Sequence, residues 1–200
     1  MATITKTAGT NILAIQQVAS NAVVVGAAQD VSTKLAASVF IHLGRDDTGG
    51  TLTEGVGVRV EGSALSSGNS QWFTLAAFKS ATATPEAEAV SGTVAAGATA
   101  ITVASTTNLV VGDKILAKNT TIANSEFCQI KSVTANTSVT VIDALTNAQT
   151  GATLYDQAEF YAAPNIDLTA ISRIRVVIDG SNTGRTVVAE AYMVTGDSIG

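Results

Sequence analysis

One cysteine and one histidine in 200 residues leave this chain almost without metal-binding or redox side chains. Cys128 has no partner for an internal disulfide, which excludes a stapled framework and leaves the redox compartment open. Zinc needs several Cys or His ligands at set spacing, and Cys128 and His42 lie far apart in the chain. Prolines number two, aromatic residues make up 4% and charged residues 14%. The net charge is −5. That excludes a free phosphate backbone as partner, because nucleic-acid binders present a basic surface that displaces counterions. A signal-peptide core is missing too. In "MATITKTAGTNILAIQQVAS" Lys6 is the single positive charge and polar residues break every apolar run, so synthesis and folding in a cytoplasm are expected.

Ala, Val, Thr, Ser, Gly and Asn fill the space instead. Hydrophobic residues reach 46% with a mean hydropathy of +0.33. Frequent β-branched residues and scarce proline point to an all-β chain. At this length a core forms without a metal or disulfide, since roughly 70% of the unfolded surface is hidden on folding. Low charge with positive hydropathy suits a surface largely covered by copies of the same chain or by neighbours. Termini this rich in Ala, Thr and Gly stay disordered unless docked, so partners are expected to hold both ends.

The stretch "VAAGATAITVASTTNLVVGDKILAKN", residues 94–119, tests three readings. A membrane helix needs about 20 predominantly apolar residues, and this one carries seven Thr, Ser, Asn and Asp residues within its first twenty, plus glycines. A phosphate loop needs Lys and Ser/Thr closing a G-x-x-x-x-G-K pattern, whereas Gly112 is followed by Asp113, which repels phosphate. Strands remain. Ile101 and Val103 alternate with Ala100, Thr102 and Ala104, Gly112-Asp113 makes a turn, and Ile115 with Ala117 resumes the alternation. Leu109 and Val111 are expected to open an apolar run. Cys128 and Ile130 share one face of "EFCQIKSV" with Phe127 on the other, "TANTS" turns, and Val139 and Val141 alternate in "VTVIDAL". Residues 89–158 thus form a small β-barrel or sandwich.

On the flanks, Leu35, Ala37, Val39, Ile41 and Leu43 take one face of a strand and Ala36, Ser38, Phe40 and His42 the other. Val56, Val58 and Val60 do the same, with Arg59 and Glu61 exposed. "SQWFTLAAF", bulky on both faces, reads as a central strand. "NILAIQQVA" at 11–19 places Ile12, Ile15 and Val18 at helical spacing and reads as a short helix. "ISRIRVVID" and "RTVVAEAYMV", joined by "GSNTG", read as a hairpin. Residues 159–200 are too few to bury a core unaided, and 1–88 would leave an edge unpaired. Joined, they make an antiparallel β-sandwich interrupted by 89–158, with Pro85 and Pro164 near the junctions.

"DTG" at Asp47-Thr48-Gly49 matches the aspartic-protease signature, but that chemistry delivers its Asp from an apolar strand next to a second carboxylate. Here Asp47 follows Gly44, Arg45 and Asp46 in a polar loop, and a turn is the better reading. A Ser–His–Asp arrangement around His42 lacks a G-x-S-x-G elbow to hold its nucleophile. Asp46, Asp47 and Glu54 are weak candidates for calcium, without the EF-hand spacing. The sequons at Asn119 and Asn136 read as turns. Arg173 and Arg175 project as a pair from one strand face and are an interface guess, against a solvated outer face. Trp72 is core or a sugar platform. No catalytic residue, cofactor or resident metal is expected.

"AGATAITVASTTNLVVGDKI", "EFCQIKSVTANTSVTVIDAL" and "GATLY" resemble the small β-domains of tailed-bacteriophage virion proteins. "VFIHLGRDDTGG…VRVEGSALSSGNSQWFTLAAF" and "RIRVVIDGSNTGRTVVAEAYM" resemble the β-sandwich of phage capsid decoration, or cement, proteins. The resemblance implies a non-enzymatic structural subunit on the capsid exterior, a homo-oligomer whose partners are the major capsid protein and copies of itself, with no direct nucleic acid and no membrane. Related sandwiches in tail, neck and fibre proteins make a tail component the alternative. Such proteins act through surfaces, so no functional residue is carried over. Outside that class stand a carbohydrate-binding adhesion module using Trp72, Tyr155 or Tyr161, and a hydrolase resting on Asp47 or His42. A deep pocket gathering polar groups on a solitary monomer is what the structural reading does not expect.

Overall fold

Val, Ile and Thr at alternate positions build strands along nearly the whole computed structural model, which describes residues 4–6, 9–68 and 71–199. In chain order these are β1 (Ile4–Lys6), β2 (Thr10–Val18), β3 (Val23–Val25), β4 (Gln29–Asp30), β5 (Lys34–Arg45), β6 (Gly57–Ser63) and β7 (Phe73–Lys79). The middle holds β8 (Ala87–Ala89), β9 (Thr93–Val94), β10 (Ala100–Thr102), β11 (Lys114–Lys118), β12 (Glu126–Thr134), β13 (Ser138–Val141), β14 (Gln149–Thr150) and β15 (Thr153–Tyr155). The chain closes with β16 (Glu159–Asp167), β17 (Arg173–Asp179) and β18 (Val187–Ile199). Among the described residues the one helical turn is a 3-10 segment at Ile122–Asn124. The protein is an all-β antiparallel sandwich, and the expectation for its two ends falls largely on residues outside those described.

Two sheets make the sandwich. The first runs β1-β18-β5-β16 with β2 beside β18, and the second runs β3-β17-β6-β7 with β4 beside β17. Ala37, Val39, Ile41 and Leu43 of β5 face Val58 and Val60 of β6 and Ile174, Val176 and Ile178 of β17 in one buried cluster, as their alternation requires. Strands β8 and β10 to β13 with β15 form a third sheet, ordered β10-β13-β12-β11-β15-β8. It curls until its ends meet, where Val90 bridges Val103 and the Ser91 N–H donates to the Thr102 carbonyl at 2.8 Å. A second buried cluster lies within this curl and runs from Val90 to Leu154. The chain leaves the sandwich from edge strand β7 and returns into edge strand β16. Phe78 and Tyr161 stack across that seam with ring centroids 5.0 Å apart.

Several expectations are corrected. Residues 11–18 lie in strand β2, not in a helix. Register shifts in the β2–β18 ladder let Ile12 and Leu13 both turn inward, while Ile15 stays outside the core cluster, so the helical spacing of Ile12, Ile15 and Val18 marks no single face. Among the described residues strand β7 is an edge, paired with β6 alone. β17 and β18 are not a hairpin, because β17 pairs in the second sheet and β18 in the first. "GSNTG" is instead a corner between sheets, with Asn182 at φ 63° and Gly184 at φ 71°. Glu61 is buried under Arg175, at 2.7 Å, and Arg59, at 3.2 Å. Val111 is exposed, since the Gly112-Asp113 turn carries it outward.

Candidate functional site

The residues singled out from the sequence do not converge. Asp46 meets Lys118 Nζ at 3.0 Å and the Gln17 amide at 2.5 Å. Asp47 accepts from Arg45 at 2.9 Å and from the Gly49 N–H at 2.8 Å, the side-chain-to-backbone bond of a turn. Glu54 pairs with Lys79 at 3.7 Å. Each carboxylate thus has its own cation, and among the described residues no group of three His, Cys, Asp or Glu side chains is arranged to hold a metal. Asn119 is buried, with its Oδ1 accepting the Thr121 N–H and its amide donating to the Ala148 carbonyl, and Asn136 sits at φ 50° in a turn.

The arginine pair is occupied within the chain. Arg175 bonds Glu61 and lies 4.0 Å from the Trp72 ring centroid. Arg173 lies 5.0 Å from the same ring and donates to the carbonyls of Leu65 and Gly68. Trp72 is therefore roofed by guanidinium groups rather than open to a sugar. Tyr161 stacks on Phe78 and donates its hydroxyl to Glu159, and burial raises that hydroxyl well above the usual phenol range. Tyr155 is half-buried, with its hydroxyl likewise raised by burial.

What the sequence did not disclose is a cleft of about 660 Å³ between the outer face of the first sheet and the middle segment. Its floor carries His42 of β5, Phe160 of β16, and Glu190 and Tyr192 of β18; its roof carries Glu126, Phe127, Cys128 and Asp143. The two surfaces close against each other beside it, where Gly44 leaves room for Phe127 and Leu116. On the floor His42 and Glu190 are direct register partners at outward positions, a pairing fixed only once β18 lies beside β5. The roof comes from residues 84 to 101 positions beyond His42, and no period links it to β5.

His42 Nδ1 lies 2.8 Å from Glu190 Oε1, and the Tyr192 hydroxyl donates to Glu190 Oε2 at 2.7 Å. The imidazole packs against Phe160 at 4.1 Å and Phe127 at 5.5 Å between centroids. Burial and the Glu190 bond hold the Tyr192 proton in place well past the usual range. Burial pushes the Cys128 thiol up to about 12, with Glu126, Glu190 and Asp143 adding to it. At neutral pH that sulfur is a protonated thiol and not a nucleophile. Ser125 is buried and accepts the Asn119 N–H at 3.0 Å. Glu126 accepts the N–H groups of Thr146 and Asn147 at 2.8 and 2.6 Å. The cleft therefore offers negative charge and aromatic surface, and its oriented histidine faces no activated nucleophile among these lining groups.

No protein-family model matches the chain, and no curated protein matches it. Among solved structures, the tailspike protein gp49 from Pseudomonas phage LKA1 aligns at 30% identity over 36% of this chain and 14% of its own, with a TM-score of 0.28. The VP2 subviral particle of infectious bursal disease virus aligns over 98% of this chain and 82% of its own, at 10% identity and a TM-score of 0.26. The Gt strain of the same virus gives 8% identity and a TM-score of 0.22 over the same shares. At such scores the backbones do not share one overall arrangement. Among the described residues no helix is long and apolar enough to cross a membrane.

Proposed function

We propose that this chain is a non-enzymatic structural subunit of a bacteriophage virion, acting as an outer-capsid cement or decoration protein. The observation that carries this reading is the placing of its exposed large apolar side chains. Val23 and Val25 lie on edge strand β3, Phe73 on edge strand β7, and Val110, Val111 and Ile142 on the middle segment, each 48–65% exposed. Apolar groups on sheet edges and a projecting turn are costly in water and are covered when neighbouring polypeptides pack on them. The few reactive side chains support the same reading, since His42, Cys128, Asp46 and Asp47 are all tied to neighbours or protonated. Such a subunit bridges adjacent coat proteins through modest contacts, and repetition around a shell turns these into avidity.

The experiment is capsid heat stability with and without the protein, paired with imaging of labelled subunits on intact particles. A raised disruption temperature and label spread over the head are expected. Unchanged stability, or label confined to the tail, overturns the cement assignment.

A further inference from the structure

The cleft between the first sheet and the middle segment has lining that matches one kind of occupant. We propose that it is a docking pocket for an arginine side chain presented on a loop of a neighbouring protein subunit. This rests on the reading of the chain as a subunit that clamps other proteins, and it names the chemistry by which one such contact is made.

Charge is the first argument. The lining contains the carboxylates of Glu126, Asp143 and Glu190, and neither lysine nor arginine is among it. Glu126 is bonded by backbone N–H groups and by the Gln149 amide, neutral donors that leave its charge in place. Glu190 holds the Tyr192 hydroxyl and His42. Asp143 stands exposed on the roof. The Cys128 thiol is raised chiefly by burial, and Glu126, Glu190 and Asp143 each raise it further, as carboxylates gathered around one cleft do.

The second argument is the aromatic lining. Phe160, Phe127 and Tyr192 surround His42, with ring centroids 4.1 to 6.1 Å from the imidazole. Lys114 already lays its ammonium 5.4 Å from the Phe160 centroid, outside the lining, so this ring accepts a cation on its face. A guanidinium is planar, weakly hydrated and always charged, and it stacks on rings while donating to carboxylates. Arginine is also enriched in the buried centres of protein interfaces. The cleft's volume falls within the usual few hundred to about 1,000 Å³ of a ligand site, ample for one side chain and its flanking backbone. The exposed Ile142 at the roof offers apolar surface to that backbone.

The test titrates N-acetyl-arginine amide into the full chain and follows backbone amide signals. Saturable shifts are expected at 123–129, 142–147 and 190–192. Binding should be at least fivefold weaker for the uncharged isostere N-acetyl-citrulline amide, and at least fivefold weaker again in Asp143→Lys, an exposed change that leaves the fold intact. An unsaturated or equal response to the two probes overturns the proposal, and so does wild-type affinity in Asp143→Lys. Saturable binding of a neutral oligosaccharide in place of the arginine probe does the same. The virion reading is decided separately, by wild-type protein on intact particles. A chain that binds the arginine probe yet leaves capsids unchanged costs that reading alone, and a chain that stabilises capsids without binding the probe costs this one alone.

Discussion

Lys118, at the end of β11, reaches out of the middle segment to place its ammonium 3.0 Å from the carboxylate of Asp46, just past β5. The Asp46 side chain is 4% exposed and that of Lys118 30%. Gln17 of β2 donates to the same carboxylate oxygen, so one buried charge joins three separate stretches of chain. Lys118→Met leaves that carboxylate with Gln17 alone. The expected loss is about 2–3 kcal/mol, discounted from the ~3–5 kcal/mol of a fully buried pair because Lys118 meets solvent. Urea denaturation measures it, and adding Asp46→Asn should recover most of the loss. A single-variant cost under about 0.5 kcal/mol would show that the pair does not hold the two parts together.

Gly44 marks the other point of contact between these parts. A Cβ there would sit 2.9 Å from Phe127 Cε1 and 3.1 Å from Leu116 Cβ. Phe127 can swing aside, whereas the Leu116 Cβ moves only with its backbone. Gly44→Ala should therefore cost about 1–3 kcal/mol through overpacking, with faster amide exchange in β11 and β12. Unchanged stability and exchange would mean that the segment rides loosely on the sheet.

Cys128 supplies a pH signature. Its thiol is raised from the ordinary 9.0 to about 12, chiefly by burial. The folded state therefore keeps a proton that the unfolded chain gives up. This contribution to stability is whole below about pH 9 and is lost as pH climbs towards 12. Cys128→Ala should flatten that part of the stability profile. In the native protein the thiol should resist a disulfide reagent at pH 8 and react promptly in denaturant; equal rates would contradict the burial.

Limited proteolysis addresses the middle segment. The connecting stretches are tied to each other and to the sandwich: Glu159 accepts the Ala81 N–H at 2.8 Å, Asp156 the Glu86 N–H at 2.7 Å, and Arg45 donates to the Ala83 carbonyl at 3.1 Å. Its buried cluster is its own. A broad-specificity protease should cut first near residues 81–83, which are exposed and outside any strand, and the fragment carrying the second core should persist folded. Rapid degradation of that fragment would mean that it depends on the sandwich.

Much of the fold was legible in the residues themselves. Period-two alternation is a local property of a strand with one buried face, and it placed Val39, Ile41, Val58, Val60, Ile174, Val176, Ile101 and Val139 correctly. Turn chemistry was equally local, as Asn136, Gly112 and Asn182 illustrate with their positive φ values. The errors came from partner choice. Nothing within β17 and β18 tells whether they pair with each other or face each other across a core, because both arrangements bury the same side chains. β7 reads as central when its neighbours are unknown, and the bulges of β2 arise only against β18.

The cleft belongs wholly to that second kind of information. Sequence by itself determined that the chain is all-β, sparingly charged and short of reactive groups. Only the folded molecule decided that His42, Cys128, Glu126 and Glu190 would meet. Hydrophobic periodicity records which side chains leave water, while the meeting of two outer faces is set by a glycine gap and a half-buried ion pair that no period contains.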